Sequence, residues 1–524
     1  MHQVEVFAIL SAVMAAVGVL SERCKMPLPT MLVVAGVLLS FIPYAPTINL
    51  DPKVIFFIVL PPLLYIESFA TPWKQLKDVG DLVSAQAIGL VLATIFGVAA
   101  ALRLVIPEMP WAVALAFGAI VSPTDAVAVS AIAKSSFIPH KTMDVIRGES
   151  LVNDATGLVS FQYAVAAAVT GTFSLMNAGQ SFLFVSLGGI AVGLLMSMIL
   201  GKIRTELSHR PSEIIASLLS PFVVYLTAEH LHVSGILAVV TTGLALGVRG
   251  PRMISTPARV QVVAIWETIT YVLNGFTFLI LGLQFKPIFE KILYHDPQQI
   301  LLSAAAVIIS LVVIRFVWTL MTVTVKKLSG QEIPAKRHVF VFSWCGMRGV
   351  VSLAAALSLP LTMTDNEPFP YRNLLIFLTI VVIAFSLFVQ GATLPSLIKW
   401  LGIKPEELGD EEVERVTRLG LTREAIRALD AEATKDGIDR TDPVFQQVVN
   451  SYVQIASANM MPRDKEEFDL YQKLEKIAVH SQRQMLIRLR DTNKIDERLF
   501  LQIQNELDLA DLHLNTPKNS TAQP

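Results

Sequence analysis

Three carboxylates stand in apolar stretches of this sequence, where hydrophobic side chains would be expected. Glu149 and Asp154 lie in "IRGESLVNDATGLVSF", and Asp125 lies upstream in "FGAIVSPTDAVAVSAI". Asn153 precedes Asp154, and Ser150 lies four residues before it, on the same face of a helix. Carboxylate, amide and hydroxyl oxygens are ligands for a small hard cation. A carboxylate in apolar surroundings can hold a proton or a metal ion but hardly both, which is the chemistry of an exchanger.

The composition places these residues in a membrane. Hydrophobic residues make up 53% of the 524 residues and charged residues 16%, and the mean hydropathy is +0.57. Soluble domains are about 25% charged. The sequence predicts an all-α polytopic membrane protein, with a transmembrane domain over residues 1–400 and a helical tail over 401–524. The last ~10 residues are expected to be disordered.

Apolar blocks, each near the roughly 20 residues that cross a bilayer, predict about thirteen transmembrane helices. They lie near residues 4–20, 27–43, 54–69, 82–106, 111–133, 145–170, 181–201, 213–229, 234–248, 262–285, 299–325, 338–361 and 373–398. Lys and Arg concentrate in the odd-numbered loops, for example Arg204, Lys326 and Lys327. The positive-inside rule therefore predicts that the N-terminus lies outside the cell membrane and that the tail is cytoplasmic.

Charges inside spans must face a partner, a cavity or an ion path, because each costs about 2.5–3.5 kcal/mol at the bilayer centre. The predicted spans contain Glu67, Asp125, Glu149, Asp154, Arg315 and Arg348. Structural ion pairs remain the alternative for Glu149 and the two arginines. Two arginines cannot neutralise four acids, so at least one carboxylate needs another cation, and Asp154 is the strongest candidate.

Two spans contain helix-breaking residues beside a charge. Pro123 interrupts the fifth span next to Asp125, and Gly346 and Gly349 flank Arg348 in the twelfth. Spans 1–6 and 8–13 would form two inverted six-helix repeats, in which the interruptions occupy matching positions. The discontinuous helices are then expected to cross, with an acid and a base near opposite helix-dipole ends. An ordinary proline kink and ordinary glycine packing are the alternatives.

At these residues the sequence resembles a known transporter family. The matching segments, in family order, are "LPPLLY", "GAIVSPTDAVAV", "RGESLVNDATGLV", "LTAEHLHVSGILAVVTTGLALG", "FTFLILGLQF" and "GMRGVVSLAAALSLP". They are similar to monovalent cation:proton antiporter family 1, the sodium/proton exchangers of the NhaP/NHE-like branch. The resemblance covers most of residues 1–400.

The resemblance implies a site centred on Asp154 as the ion- and proton-binding carboxylate. Asn153, Ser150 and Thr124 would supply further oxygens. Asp125 is expected to belong to the ion- and proton-binding residues and to stabilise the crossover in the fifth span. The transported Na+, or Li+ or K+ in its place, would be cargo, and no cofactor is expected.

The resemblance also implies structural roles for the basic residues. Arg348 would stabilise the crossover of the twelfth span, and Arg315 would pair with Glu149. One departure concerns Glu67, which stands one position beyond the slot where family members often carry an acid or polar residue. One residue turns a side chain by about 100°, so Glu67 is expected to be a ligand or gate only if its span rotates or unwinds.

The resemblance predicts an electroneutral antiporter, because Asn153 stands where the related electrogenic branch has a second aspartate. A homodimer in the lipid bilayer and roles in pH and sodium homeostasis are expected. Three alternatives remain: a K+/H+ antiporter of the same fold, an intramembrane aspartyl protease, and a membrane sensor with a signalling tail. The sequence shows no sign of nucleic-acid binding, and a transporter rather than an enzyme is predicted.

Overall fold

The computed structural model describes most of the chain. The described residues are 2–24, 26–42, 52–71, 80, 84–133, 140–171, 175–207, 209–249, 256–292, 296–328, 336–364, 367–403 and 409–460, with short pieces at 473, 477–478, 481–489, 492 and 503–504. Their regular structure is helical, apart from one isolated β-bridge between Thr362 and Pro368. The chain divides into two compact units, Met1–Pro405 and Glu406–Pro524.

The first half of the larger unit contains ten helices within the described residues. They are α1 (His2–Cys24), α2 (Leu28–Ser40), α3 (Pro52–Ala70), α4 (Val91–Val105), α5 (Trp111–Val121), α6 (Ala126–Ala133), α7 (His140–Thr170), α8 (Leu175–Glu206), α9 (Arg210–His230) and α10 (Gly235–Arg249). A π-helical turn at Ala85–Leu90 leads directly into α4. Prolines lie at the starts of several helices: Pro27 precedes α2 and Pro110 precedes α5. Proline is suited to a helix start because the first backbone N–H groups of a helix have no partner within it, and proline has no N–H.

The second half contains seven more helices within the described residues. They are α11 (Thr256–Leu283), α12 (Phe285–Ile292), α13 (Pro297–Leu328), α14 (Lys336–Trp344), α15 (Val350–Leu357), α16 (Arg372–Ala384) and α17 (Gly391–Trp400). A second π-helical turn, Phe385–Gln390, joins α16 to α17.

Helices or interrupted helices occupy all thirteen places where the sequence predicts spans. Among the described residues, seven helical segments are long and apolar enough to cross a membrane. They are Glu5–Cys24, Ala85–Val105, Leu183–Glu206, Arg210–His230, Ala258–Ile292, Pro297–Leu328 and Arg372–Trp400. Four shorter apolar helices accompany them, at Leu28–Ser40, Phe57–Ala70, Trp111–Val121 and Gly235–Arg249.

The helices of this unit pack mainly within two groups. In the first group α2 packs against α11, and α10 packs against α3, α8 and α9. In the second group α5 packs against α4 and α7, and α13 packs against α4, α14 and α16. Fewer contacts join the groups; they include contacts of α3, α8, α10 and α11 with α7 or α15.

Both predicted interruptions are present. Helix α5 ends at Val121 and α6 begins at Ala126. Pro123 lies between them and has no backbone N–H with which to continue the helical hydrogen bonds. Helix α14 ends at Trp344 and α15 begins at Val350, with non-helical backbone between them.

One basic residue that the sequence assigned to a cytoplasmic loop lies elsewhere. Arg204 belongs to the last turn of α8 and is only 3% exposed. Its Nη2 donates hydrogen bonds to Tyr65 Oη at 2.8 Å and to Ser220 Oγ at 3.0 Å. The helix thus extends past the end of the predicted span, and the Arg204 side chain is buried against residues of α3 and α9.

The smaller unit contains α18 (Gly409–Asp436) and α19 (Pro443–Met460), which pack against each other. A turn with Gly437 at φ 67° separates them, a backbone conformation that glycine adopts without strain. The final residues that the sequence predicts to be disordered lie outside the described part of the chain.

Candidate functional site

The two interrupted helices meet at their breaks. The backbone N–H of Asp125 donates to Met347 O at 2.8 Å, and Arg348 Nε donates to Val121 O at 3.0 Å. Arg348 also donates to Gly346 O. Gly349 lies against the Asp125 carboxylate, where a Cβ would overlap Oδ2. Each break therefore satisfies backbone groups that the other leaves free, and a glycine is needed at the contact.

Helix α7 brings the polar sequence "ESLVND" against the first break. Gly157 allows this approach, because a Cβ there would lie 2.7 Å from Pro123 Cγ. Ser150 and Asp154 are four residues apart and share one face, while Glu149 and Asn153 share the adjacent face. The two faces have different surroundings.

Glu149 faces the protein interior and is neutralised there. Arg315 of α13 donates from Nη1 to Glu149 Oε1 at 2.6 Å and from Nη2 to Oε2 at 3.0 Å. Both side chains are buried, and the guanidinium stacks over the Phe342 ring at 5.2 Å. This bidentate geometry is the strong form of an ion pair.

Asn153 is directed at Thr124. Its Nδ2 donates to Thr124 Oγ1 at 2.7 Å, and its Oδ1 accepts from the Thr124 N–H at 3.4 Å. Thr124 Oγ1 lies 3.4 Å from Glu149 Oε1. Asn153 thus holds Thr124 in place. Its own side chain does not line the cavity beside Asp154.

A cavity of about 620 Å³ lies between the two helix groups of the larger unit. Asp154 lines it and is only 2% exposed. Its Oδ1 is buried without a hydrogen-bond partner in the described part of the chain. A buried carboxylate oxygen without a partner is energetically costly, so it marks a place where a proton or a cation would be held.

Three further oxygen-bearing side chains line the cavity beside Asp154: Thr124, Asp125 and Ser150. Ser150 Oγ donates to Thr124 O at 2.8 Å and accepts from the Ala126 N–H at 3.3 Å. The Asp125 carboxylate accepts from the Ala128 N–H at 3.0 Å, which caps α6. The oxygens are therefore held in place by the broken helix.

Glu67 reaches the same cavity from the opposite helix group. Its side chain lines the cavity, and Ser150 Oγ lies 3.4 Å from Glu67 Oε1. Helix α3 remains helical around Glu67 but contains Pro61 and Pro62. These prolines lack backbone N–H groups, yet the helix runs without a break from Pro52 to Ala70, so Glu67 reaches the cavity without an unwound turn.

The structure thus separates the residues that the sequence singled out. Glu67, Thr124, Asp125, Ser150 and Asp154 line the cavity. Glu149, Asn153, Arg315 and Arg348 form the surrounding framework.

Sequence reasoning missed several cavity residues. Ser352, in the first turn of α15, lines the cavity, and its buried Oγ has no partner among the described residues. Glu267, Thr270 and Asn274 of α11 also line it. Ser352 could have been found from its position in the sequence, directly after the second break. The α11 residues could have been found from their spacing of three and four residues, which puts them on one face of a helix.

Comparison with known proteins identifies the family of the chain. Residues 9–400 match the family described as "Sodium/hydrogen exchanger, transmembrane". The chain belongs to this family of integral membrane cation/proton antiporters. It is therefore a transporter, and the intramembrane protease hypothesis was wrong.

Curated relatives extend over nearly the whole chain. The chain is 31% identical to "Uncharacterized Na(+)/H(+) exchanger YjcE" of Escherichia coli, over 96% of this chain and 97% of that protein. It is 32% identical to the "Sodium, potassium, lithium and rubidium/H(+) antiporter" of Bacillus pumilus, over 97% of this chain and 78% of that protein.

A solved structure shows the same fold. The sodium proton antiporter MjNhaP1 from Methanocaldococcus jannaschii superposes with a TM-score of 0.63 at 21% identity, covering 77% of this chain and 100% of that chain.

Proposed function

We propose that this protein exchanges a monovalent cation, Na+ or in its place Li+ or K+, for H+ at Asp154. The observation that carries the proposal is the buried Asp154 Oδ1, which lacks a partner among the described residues and lines a cavity. A dehydrated cation or a proton would neutralise this oxygen, and each excludes the other. Competition for one carboxylate couples the two ions.

The proposed cation ligands come from both helix groups. Asp154, Ser150 and Thr124 belong to the group with the broken helices, and Glu67 belongs to the opposite group. Movement of one group against the other would separate Glu67 from the other ligands and open the site to one side at a time. The cavity between the groups supports alternating access of this kind.

Electroneutral exchange of one cation for one proton is part of the proposal. Asn153 contributes no charge, and Glu149 is neutralised by Arg315 within the protein. These contacts leave Asp154 as the acidic residue of "ESLVND" that is available to a transported ion. The membrane potential would then contribute nothing to the driving force.

The wider organisation is proposed from sequence and fold together. The larger unit would contain two inverted six-helix repeats related through the two broken helices. It would form a homodimer in the cell membrane, with the N-terminus outside and residues 401–524 in the cytoplasm. Export of Na+, driven by the entry of H+ down an inward proton gradient, would serve pH and sodium homeostasis.

The test is cation-driven proton movement in everted membrane vesicles. Adding Na+, Li+ or K+ to vesicles with an imposed pH gradient should dissipate the gradient, and Asp154→Asn should abolish this response. Asp296→Asn, at an exposed aspartate that caps α13, is the matched control and should behave as wild type. Full activity of Asp154→Asn would overturn the site.

The cation panel and the voltage dependence use the same vesicles. Potassium is a specific second candidate, because the Bacillus pumilus relative is named for sodium, potassium, lithium and rubidium. Initial rates should stay unchanged when a membrane potential is imposed with the permeant anion thiocyanate. A rate that follows the potential would contradict electroneutral exchange.

A further inference from the structure

We propose that one face of α11, formed by Glu267, Thr270 and Asn274, is the route by which cations reach Asp154, with Glu267 as the recruiting carboxylate. These three residues are called the access face. The inference rests on the proposed site at Asp154 and extends it to residues that the site itself does not include.

The access face is a continuous stripe that leads along the cavity. Its members are three and four residues apart, so their side chains project from one side of the helix. All three line the cavity that contains Asp154. At 1.5 Å per residue the stripe is about 10 Å long.

Glu267 lies at the open end of this stripe. Its side chain is exposed, whereas Thr270 and Asn274 are half-buried, and this exposed end of the stripe is taken as the mouth of the cavity. Among the described residues, Glu267 has no ion pair or hydrogen bond. A carboxylate within an apolar helix long enough to cross a membrane would cost about 2.5–3.5 kcal/mol at the bilayer centre. Glu267 therefore faces water, and the cavity that it lines is hydrated at this end.

The hydroxyl and amide groups farther along are available for a passing ion. Thr268 and Thr277, on the same helix, donate back to Ala264 O at 3.0 Å and to Leu273 O at 2.7 Å. Among the described residues, Thr270 and Asn274 have no such hydrogen bond. Side-chain oxygens turned toward a cavity rather than onto their own helix can replace part of a cation's water shell.

The far wall of the cavity supplies a second, independent observation. Helix α15 packs against α11, and Ser352 of α15 is only 1% exposed. Its Oγ lines the cavity and lacks a partner in the described residues, as does Asp154 Oδ1. Unpaired oxygens thus lie deep in the cavity, and the only charged member of the access face lies at its mouth.

The chemistry predicts a kinetic signature rather than loss of activity. A single carboxylate at a mouth raises the local concentration of cations by electrostatic attraction, which salt screens within about 8–10 Å. Glu267 would act on cation capture, and the ion would leave it before reaching Asp154. Because the positive-inside rule puts the start of α11 in the cytoplasm, this mouth would be the cytoplasmic one.

The test measures the half-saturating Na+ or Li+ concentration in everted vesicles at low ionic strength. Glu267→Gln should raise it about three- to tenfold with an unchanged maximal rate, and added choline chloride should remove most of the difference. Glu267→Asp should restore the wild-type value. Glu206→Gln, at an exposed carboxylate outside the cavity lining, is the matched control and should have no effect.

Two further variants test the rest of the stripe. Thr270→Val and Asn274→Leu should each raise the half-saturating concentration at every ionic strength, because neutral ligands are not screened. A cysteine at the mouth, made as Glu267→Cys with Cys24→Ser and Cys345→Ser, should react with a membrane-impermeant thiol reagent in everted vesicles but not in right-side-out vesicles.

The outcomes separate this proposal from the proposed function. If Glu267→Gln matches wild type at low ionic strength while Asp154→Asn is inactive, the access face is wrong and the ion site stands. If Asp154→Asn remains active, the ion site is wrong whatever Glu267→Gln does. Labelling of Glu267→Cys only from the outside would overturn the cytoplasmic direction of the route.

Discussion

Two carboxylates on α7, Glu149 and Asp154, are separated by little more than one helical turn and differ in nearly everything except burial. Both are at most 2% exposed. Glu149 has a bidentate arginine, whereas Asp154 Oδ1 has no partner among the described residues. Burial alone therefore does not identify an ion-binding acid. The presence or absence of a fixed counter-charge distinguishes the structural carboxylate, Glu149, from Asp154, the proposed ion-binding one.

The surroundings of the two acids reinforce this difference. Glu149 lies in packed protein, where Arg315 is enclosed by Phe342 and by Gly346, whose Cβ would approach Arg315 Cδ to 2.5 Å. Asp154 faces a cavity of about 620 Å³ with room for an ion and water. A rigid pair and an open site on one helix allow the site to change occupant without disturbing the helix.

The largest expected effect is on stability and comes from Glu149. Glu149→Gln leaves the Arg315 charge buried without its counter-ion, which should destabilise the protein by about 3–5 kcal/mol. Thermal unfolding of the purified protein in detergent, and the yield of folded protein, would measure the loss.

The paired variant is the control for this prediction. Replacing both members, with Glu149→Leu and Arg315→Met, removes both charges and should recover much of the stability, since buried ion pairs are often replaceable by apolar residues. Wild-type stability of the single variant would show that Glu149 is not the fixed partner of Arg315, and the contrast with Asp154 would fail.

The next effect is on cation affinity and concerns Glu67. Glu67→Gln removes the carboxylate that reaches the site from the opposite helix group, while keeping an oxygen near Ser150. The half-saturating Na+ concentration should rise about tenfold, equivalent to about 1.4 kcal/mol. Glu290→Gln, an exposed glutamate on α12, is the control. An unchanged affinity would place Glu67 outside the ligand set.

A smaller effect, opposite in sign to that of Glu149→Gln, is expected on stability at Asp154. Asp154→Asn removes a buried charge that lacks a fixed partner, so the cation-free protein should be as stable as wild type or more stable by about 1 kcal/mol. Wild type should gain stability as Na+ is added, and the variant should not. Strong destabilisation by Asp154→Asn would mean that both acids are structural.

Much of the fold was predictable from the sequence, because apolar blocks of bilayer length and helix breakers are local signals. Pro123 and the Gly346–Gly349 segment marked the two breaks directly. The burial of Arg204 was not predictable, since its partners Tyr65 and Ser220 lie on other helices. Periodicity gives the position of a residue along a helix but not which helices will pack against it.

In the candidate site, too, the sequence predicted which residues are polar but not how the packing of the helices directs them. The polar residues of "ESLVND" were visible as charges and oxygens in apolar sequence, yet the sequence assigned Asn153 and Ser150 the same role. The structure turns Asn153 onto Thr124 and leaves Ser150 at the cavity. Glu67 was expected to reach the site only if its span rotated or unwound, yet α3 is helical at Glu67 and the side chain lines the cavity. The direction in which a helix presents its faces depends on packing between helices, which helical periodicity does not give.

The smallest effect is expected at Ser352, which resembles Asp154 in having a buried, unpartnered oxygen and differs in having no charge. Ser352→Ala should raise the half-saturating cation concentration about two- to threefold, since a neutral ligand contributes less than a carboxylate. The same change should leave the stability of the protein unchanged or slightly higher, because it removes an unsatisfied hydroxyl. Ser343→Ala is the control, because the Ser343 hydroxyl is bonded to Val339 O at 2.9 Å and does not line the cavity. At Ser352, as at Asp154, cation transport should therefore weaken while stability does not fall. A loss of stability with unchanged cation affinity would instead make Ser352 part of the packed framework around Glu149.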